Sequence, residues 1–118
     1  MEKYNSNTRP YEKLKFYKDI CSLRSLINKV TKPFFKDNLR LVSQMRDSAR
    51  SAKQNIREGY RKGTLGEFIR SIKISQGSLE ELMGDIDDCK EDGLINEANY
   101  VRLKELYRSA SYMMQSIS

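Results

Sequence analysis

Beyond residue 11 the chain holds four stretches in which apolar side chains recur every three or four positions, with only short breaks between them. That is the period of an α-helix, on which residues three and four apart share a face. Phe16, Ile20, Leu23, Ile27, Val30 and Phe34 make the first stripe. Leu39, Val42, Met45, Ala49, Ala52 and Ile56 make the second, and its alanines leave it slim enough for a neighbouring helix to come close. The third is Leu65, Phe68, Ile72, Ser75, Leu79, Leu82, Ile86 and Cys89, which is about seven turns. The fourth is Leu103, Leu106, Ala110, Met113 and Ile117, flanked by Tyr100, Tyr107 and Met114. No alternating β-branched run competes with these stripes. Helices that each bury one face and are joined by short connections pack most simply up, down, up, down. The sequence therefore predicts an all-α protein, an antiparallel up-down-up-down four-helix bundle. Its helices should lie near residues 12–32, 38–61, 65–92 and 97–116. The core should hold Ile20, Ile27, Met45, Ile56, Ile72, Leu79, Leu82, Leu103, Leu106 and Ala110.

The breaks have their own chemistry. Lys32-Pro33 ends the first helix, because proline disfavours helical geometry in the residue before it, and Phe34 then falls in the loop. Asp37 or Asn38 can cap the second helix, and Gly59 to Gly63 breaks its pattern. Thr64-Leu65-Gly66-Glu67 reads as a capping box for the third helix, and Gly93 suits a left-handed end to it. Asn96 can cap the fourth, with Ile95 and Tyr100 at the spacing of a hydrophobic staple. Residues 1–10 are polar and read as a flexible N-terminal arm bounded by Pro10, leaving residues 11–118 as one bundle domain. At 118 residues there is room for one modest core.

The same residues narrow the function classes. The N-terminal stretch is polar where a secretory signal needs an apolar segment, and no apolar run approaches a membrane span, so the expectation is a soluble, cytoplasmic protein. There is no histidine, and the two cysteines, Cys21 and Cys89, lie far apart inside helical patterns. Two buried thiols are expected there, with no disulfide, no zinc site and no cofactor. General acid–base catalysis also lacks its usual agent, so no enzymatic activity is expected.

Charge is unevenly spread. The net charge is +6, yet residues 1–79 hold 18 Lys/Arg against 7 Asp/Glu and residues 80–118 hold 4 against 9. A basic half attracts polyanions, and the same asymmetry would suit subunits that pack basic surface on acidic surface. The second helix concentrates the positive charge. Arg46, Arg50, Lys53, Arg57 and Arg61 recur at spacings of four, three, four and four, within an arc of about 80° beside the apolar stripe. Lys62 and Tyr60 extend the patch. Arginine's planar fork suits phosphate, so this row is the candidate contact for RNA or DNA backbone. The alternative is a solvated face, or one paired with Glu80, Glu81 and Asp85. Residues 80–92 carry seven acids and one lysine, but helical acids alone lack the converging ligands of a metal site. Asn55 and Glu58 sit on the other side of the second helix. Gly77-Ser78 puts two small residues inside the third, where close helix approach or a polar contact with Asn55 or Glu58 would compensate glycine's helix cost.

Leu41 to Arg46 with Ser48-Ala49, followed by Asn55-Ile56-Arg57-Glu58-Gly59, resembles the signature of the 23S ribosomal RNA intervening-sequence proteins, also known as four-helix bundle proteins. Phe68 followed by Gln76-Gly77-Ser78-Leu79-Glu80-Glu81-Leu82 is similar to their second signature, and Tyr11, Leu14, Phe16 and Tyr17 to their first-helix motif. The resemblance covers about residues 11 to 95 and implies Asn55, Glu58, Gly59, Gly77, Ser78 and Glu81 as structural motif positions. Where the family often has proline two residues before Asn-Ile, this chain has Lys53, and Arg50 and Arg57 stand where many relatives are apolar or small. The resemblance further implies left-turning bundles assembled as homopentamers. Some members suggest RNA binding, and a related branch binds a reverse transcriptase and nucleic acid in diversity-generating retroelements.

Two functions remain in play. The first is an oligomeric bundle that binds RNA or DNA backbone through Arg46, Arg50, Lys53, Arg57, Arg61 and Lys62. The second is a protein–protein interaction module or accessory subunit whose basic face meets another subunit or a reverse-transcriptase-like partner. Apolar groups outside the stripes, namely Tyr17, Tyr60, Ile74, Tyr107 and Met114, argue for a homo-oligomer on sticky surface.

Overall fold

The computed structural model describes residues 10–34 and 36–117. A turn of 3-10 helix over Pro10–Lys13 precedes α1 (Lys15–Val30), and a second over Lys36–Asn38 leads into α2 (Leu39–Arg61). α3 (Leu65–Glu91) and α4 (Glu97–Ile117) follow. All four expected helices are present and no strand occurs among the described residues. The arm expected over residues 1–10 lies, apart from Pro10, outside the described residues.

Hydrogen bonds across the seams give the direction of packing. Between α2 and α3, Gln44 pairs with Asp85, Ser51 with Ser78 and Ala52 with Ser75, so one number rises as the other falls. Only antiparallel neighbours pair that way. Asp87 with Tyr100, and Lys90 with Glu97, repeat the pattern between α3 and α4. Ser109 of α4 donates to the buried carboxylate of Asp19 on α1, which also accepts from Lys15, and so closes the ring of helices. Each helix packs on two neighbours, α1 and α3 each between α2 and α4, and the diagonal pairs stand farther apart.

All ten expected core residues are buried, and most of them are fully enclosed. The α2–α3 seam is lined by small residues. Ala49 and Ala52 are buried there, and the Ser75 hydroxyl donates to the Ala52 carbonyl at 2.8 Å. Near the turn that joins α2 to α3, a Cβ on Gly59 would fall 2.0 Å from the Ser71 hydroxyl oxygen and 2.3 Å from its Cβ. Glycine is therefore required at 59 by contact.

Helix ends follow local rules in most places. Thr64 accepts from the Glu67 amide and Asn96 from the Asn99 amide, as their capping roles require. Gly93, at φ 74°, closes α3 with Leu94 donating to the Cys89 carbonyl and Gly93 to that of Lys90. Two expectations need correction. α2 has no side-chain cap from Asn38 and is entered through the 3-10 turn instead. α2 ends at Arg61 as expected, running through the buried Gly59, and the left-handed glycine beyond it is Gly63, at φ 85°. α1 starts late, at Lys15, with extended backbone at Leu14.

The stripes drift at their ends. Leu39 and Leu65, expected inside, are exposed at the first turn of their helices. In α4, Met114 occupies the fully buried position, four residues after Ala110, while Met113 is half-buried and Ile117 exposed. Tyr17 is buried too, and Tyr60 packs its ring 5.6 Å from Tyr11 and 6.0 Å from Phe68. Tyr107 is half-buried, so of the five supposedly sticky groups Ile74 alone is exposed. Cys21 is half-buried and Cys89 buried, both as free thiols. Burial, and then Asp85, Asp92 and Asp88, push the Cys89 thiol up to about 11.

Leu79→Ala is expected to lower the unfolding free energy by about 2–5 kcal/mol, since that side chain is fully enclosed. Gly59→Ala should cost about 1–3 kcal/mol by forcing α2 off Ser71. Ser71→Gly in the same chain should recover part of that loss, and denaturant titration of the single and double variants checks both.

Candidate nucleic-acid interface

The rotation of α2 about its axis decides where its basic row points. Ser51 and Ala52 face α3, and Met45, Ala49 and Ile56 fill the core. The remaining edge adjoins α1, and the arginine row lies along it. Arg46 marks the contact, its Nε donating to the Thr31 hydroxyl at 3.0 Å and its Nη2 to the Asn28 carbonyl at 3.2 Å. Thr31 in turn donates to the Ile27 carbonyl. Arg46 thus satisfies free acceptors at the C-terminus of α1, where a cation also suits the helix dipole.

This changes the role of one expected contact residue. Arg46 is half-buried and committed to α1, so it serves the fold first. Arg61 and Lys62 are exposed but lie beside acids: Arg61 pairs with Glu58 at 2.8 Å and Lys62 with Glu67 at 3.8 Å. Arg50, Lys53 and Arg57 differ. Arg50 and Arg57 are exposed and Lys53 half-exposed, and among the described residues none of the three has an acid within ion-pairing distance. The alternative pairing of the row with Glu80, Glu81 and Asp85 is not made within the chain. Asp85 accepts from Gln44 at 2.9 Å, while Glu80 and Glu81 are exposed on α3.

Sequence reasoning missed a further cation, Arg24. Tyr17, Arg24, Asn28 and Thr31 follow one another at seven, four and three residues and so share one strip of α1. Both ends of that strip face α2. Asn28 and Thr31 receive Arg46, and Arg57 lies close enough to Tyr17 to act on its hydroxyl. Burial, followed by the neighbouring Cys21, pushes the Tyr17 pKa up, and the Arg57 charge pulls against it. In this antiparallel pair Arg24 falls midway, level with Arg50 and Lys53. Four cations from two helices therefore gather on one seam. The missing signal was the register between α1 and α2, which no periodicity within either helix carries.

The other motif positions build the α2–α3 seam. Asn55 donates to the Ser51 carbonyl at 2.8 Å and to its hydroxyl oxygen at 3.2 Å, while the Ser51 and Ser78 hydroxyls meet at 3.0 Å. Asn55 thus reaches Ser78 through Ser51, and Glu58 turns to Arg61. A Cβ on Gly77 would meet nothing within 4 Å, so the close approach expected there occurs at Gly59. A cleft of about 230 Å³ opens between the ends of α2 and α3, walled in part by Lys62, Glu67, Arg70 and Ile74.

The acids lie elsewhere. α1 and α2 carry ten Lys/Arg and three Asp/Glu, whereas α3 and α4 carry six and nine. Asp87 accepts from Tyr100, and among the described residues no three Cys, Asp or Glu side chains converge as a metal set would. No described helix is long and apolar enough to cross a membrane.

The family model described as 23S rRNA-intervening sequence protein matches residues 12–116. A search of the curated proteins finds no match to the chain.

The two kinds of arginine should separate in stability measurements. Arg46→Ala is expected to cost about 1.5–3 kcal/mol, because it strips hydrogen bonds to a charged donor from the α1 terminus. Arg50→Ala and Arg57→Ala should stay within about 0.5 kcal/mol of the parent. Chemical denaturation of the three variants checks this.

Proposed function

The chain belongs to the 23S rRNA-intervening sequence protein family, and from that premise we propose that it is a non-enzymatic bundle protein that binds RNA or DNA backbone through the basic edge of α2. The observation that carries this reading is the cluster of Arg50, Lys53 and Arg57, joined by Arg24, in which among the described residues no cation is held in an ion pair. Phosphates offer the dense negative charge that such a cluster lacks within its own chain, and each contact releases counterions. The contacts are Arg50, Lys53 and Arg57 first, with Arg61 and Lys62 extending them once they leave Glu58 and Glu67. Arg46 contributes field more than contact.

A second reading is favoured by the division of charge between the two sides of the bundle. The acidic α3 of one copy would take the basic edge of the next and build a homo-oligomer, a pentamer by family resemblance. An acidic surface on a reverse-transcriptase-like partner would use the same edge.

The double change Arg50→Glu with Arg57→Glu separates the two. On the nucleic-acid reading, affinity falls steeply with salt in the parent, and the double variant loses it across unrelated sequences because backbone contacts carry no base information. Its size-exclusion profile stays that of the parent. On the interface reading, the same change shifts the profile to smaller species, and neither protein raises the anisotropy of labelled nucleic acid at low salt. Absence of binding by the parent at low salt would reject the leading proposal.

A further inference from the structure

Backbone recognition leaves open whether a paired or an unpaired strand lies on the basic edge. Proteins that hold unpaired strands combine positive charge with aromatic rings on which bases stack. On the α1–α2 side no described ring is free for that: Phe34, in the connection between the two helices, is half-buried against the core. Tyr11, Phe16 and Tyr17 are buried, and Tyr60, the aromatic nearest the end of the row, is occupied between Tyr11 and Phe68. Tyr112 is 77% exposed, but it sits on α4, which does not neighbour α2. An unpaired strand laid along Arg50, Lys53 and Arg57 would keep its bases in water with nothing to stack on.

The cations, in contrast, have the order that a stiff row of phosphates needs. α2 is an uninterrupted helix of 23 residues, so Arg50, Lys53 and Arg57 stand about 5 Å apart along its axis. Rigid side-by-side spacing is an advantage with a rigid partner and of little use with a flexible one. Arg24 comes from the neighbouring helix, whose axis lies about 8–10 Å away. That offset turns the line of charge into a band of cations drawn from two helices. The acids, concentrated on α3, keep the opposite side of the bundle from competing for the same polyanion.

We propose that the α1–α2 seam receives a double-stranded backbone, with Arg24 of α1 as a contact alongside Arg50, Lys53 and Arg57. This rests on the nucleic-acid reading above and narrows it to a class of ligand.

The test is fluorescence anisotropy of the full chain against one labelled 20-mer sequence presented as RNA duplex, DNA duplex and the unpaired strands of each. Each titration is run at two salt concentrations. Both duplexes, or one of them, should bind at least about tenfold more tightly than the unpaired strands, with a slope of log affinity against log salt that reflects several phosphate contacts. Arg24→Ala should lower that slope by about 1, and Arg24→Lys should retain it. A preference between the two duplexes would identify the source of the backbone and supports the proposal either way. Unpaired strands binding as tightly as duplex would overturn it while leaving the broader nucleic-acid reading intact. A slope unchanged in Arg24→Ala would likewise overturn it by removing α1 from the seam's contacts. Binding to none of the four probes would reject the broader reading, and this one with it.

Discussion

The close seam between α2 and α3 fixes the rest of the molecule. Its residues are small and its hydroxyls are used up: Ser75 on the Ala52 carbonyl, Ser51 on Ser78, and Ser71 against the bare backbone of Gly59. Buried hydroxyls are costly unless bonded, so the seam tolerates little sliding or rotation. Once Ser51, Ala52 and Gly59 must face α3, and Met45 and Ile56 the core, the turn of α2 about its axis is decided. The arginine row then has one place to go, the edge against α1. A packing constraint on one face of a rigid helix thus sets the chemistry of another.

The fold was legible because its evidence is local. A stripe such as Ile72, Leu79, Leu82 and Ile86 states both the helix and its buried face, and Thr64, Gly93 and Asn96 state where helices begin or end. Errors came where a neighbour decides. Leu39 and Leu65 continue their stripes in sequence, but both are left exposed at the first turn of their helices. Met114 displaces Met113 because a period of 3.6 drifts against steps of three and four. Gly59 reads as a weak point of its helix, and Ser71 across the seam is what leaves no room there for a larger residue.

The geometry of the candidate site was legible in half. The row on α2 is visible from spacing alone, but its division into working parts is not. Arg46 has the same spacing as Arg50, yet the end of α1 claims it, and Arg24 looks like an ordinary surface residue until α1 is set against α2. Both distinctions depend on the register between helices, a long-range quantity that hydrophobic period does not encode. The same holds for Ser51, which links Asn55 to Ser78 although its own position in the stripe looks incidental.

A row of like charges invites the question of what it costs the fold. Arg50 and Arg57 are two turns apart, about 10 Å along the axis. In water that separation carries roughly 0.4 kcal/mol of repulsion before salt is considered, and Lys53 between them adds about 0.2–0.5 kcal/mol for each of its two nearer pairs. The screening length of about 8 Å at physiological ionic strength reduces it further. The chain can therefore hold these cations unpaired at small expense, and nothing in its own stability calls for Glu80 or Glu81 to reach across to them. The same physics works in reverse with a polyanion. Screening ions condensed on a phosphate backbone are released by each cation that docks, so charges nearly neutral in their effect on folding become additive in binding. A surface that is cheap to keep and strong only against dense negative charge is suited to recognition of backbone more than to holding two subunits together by isolated ion pairs, where the same exposed charges would be worth little.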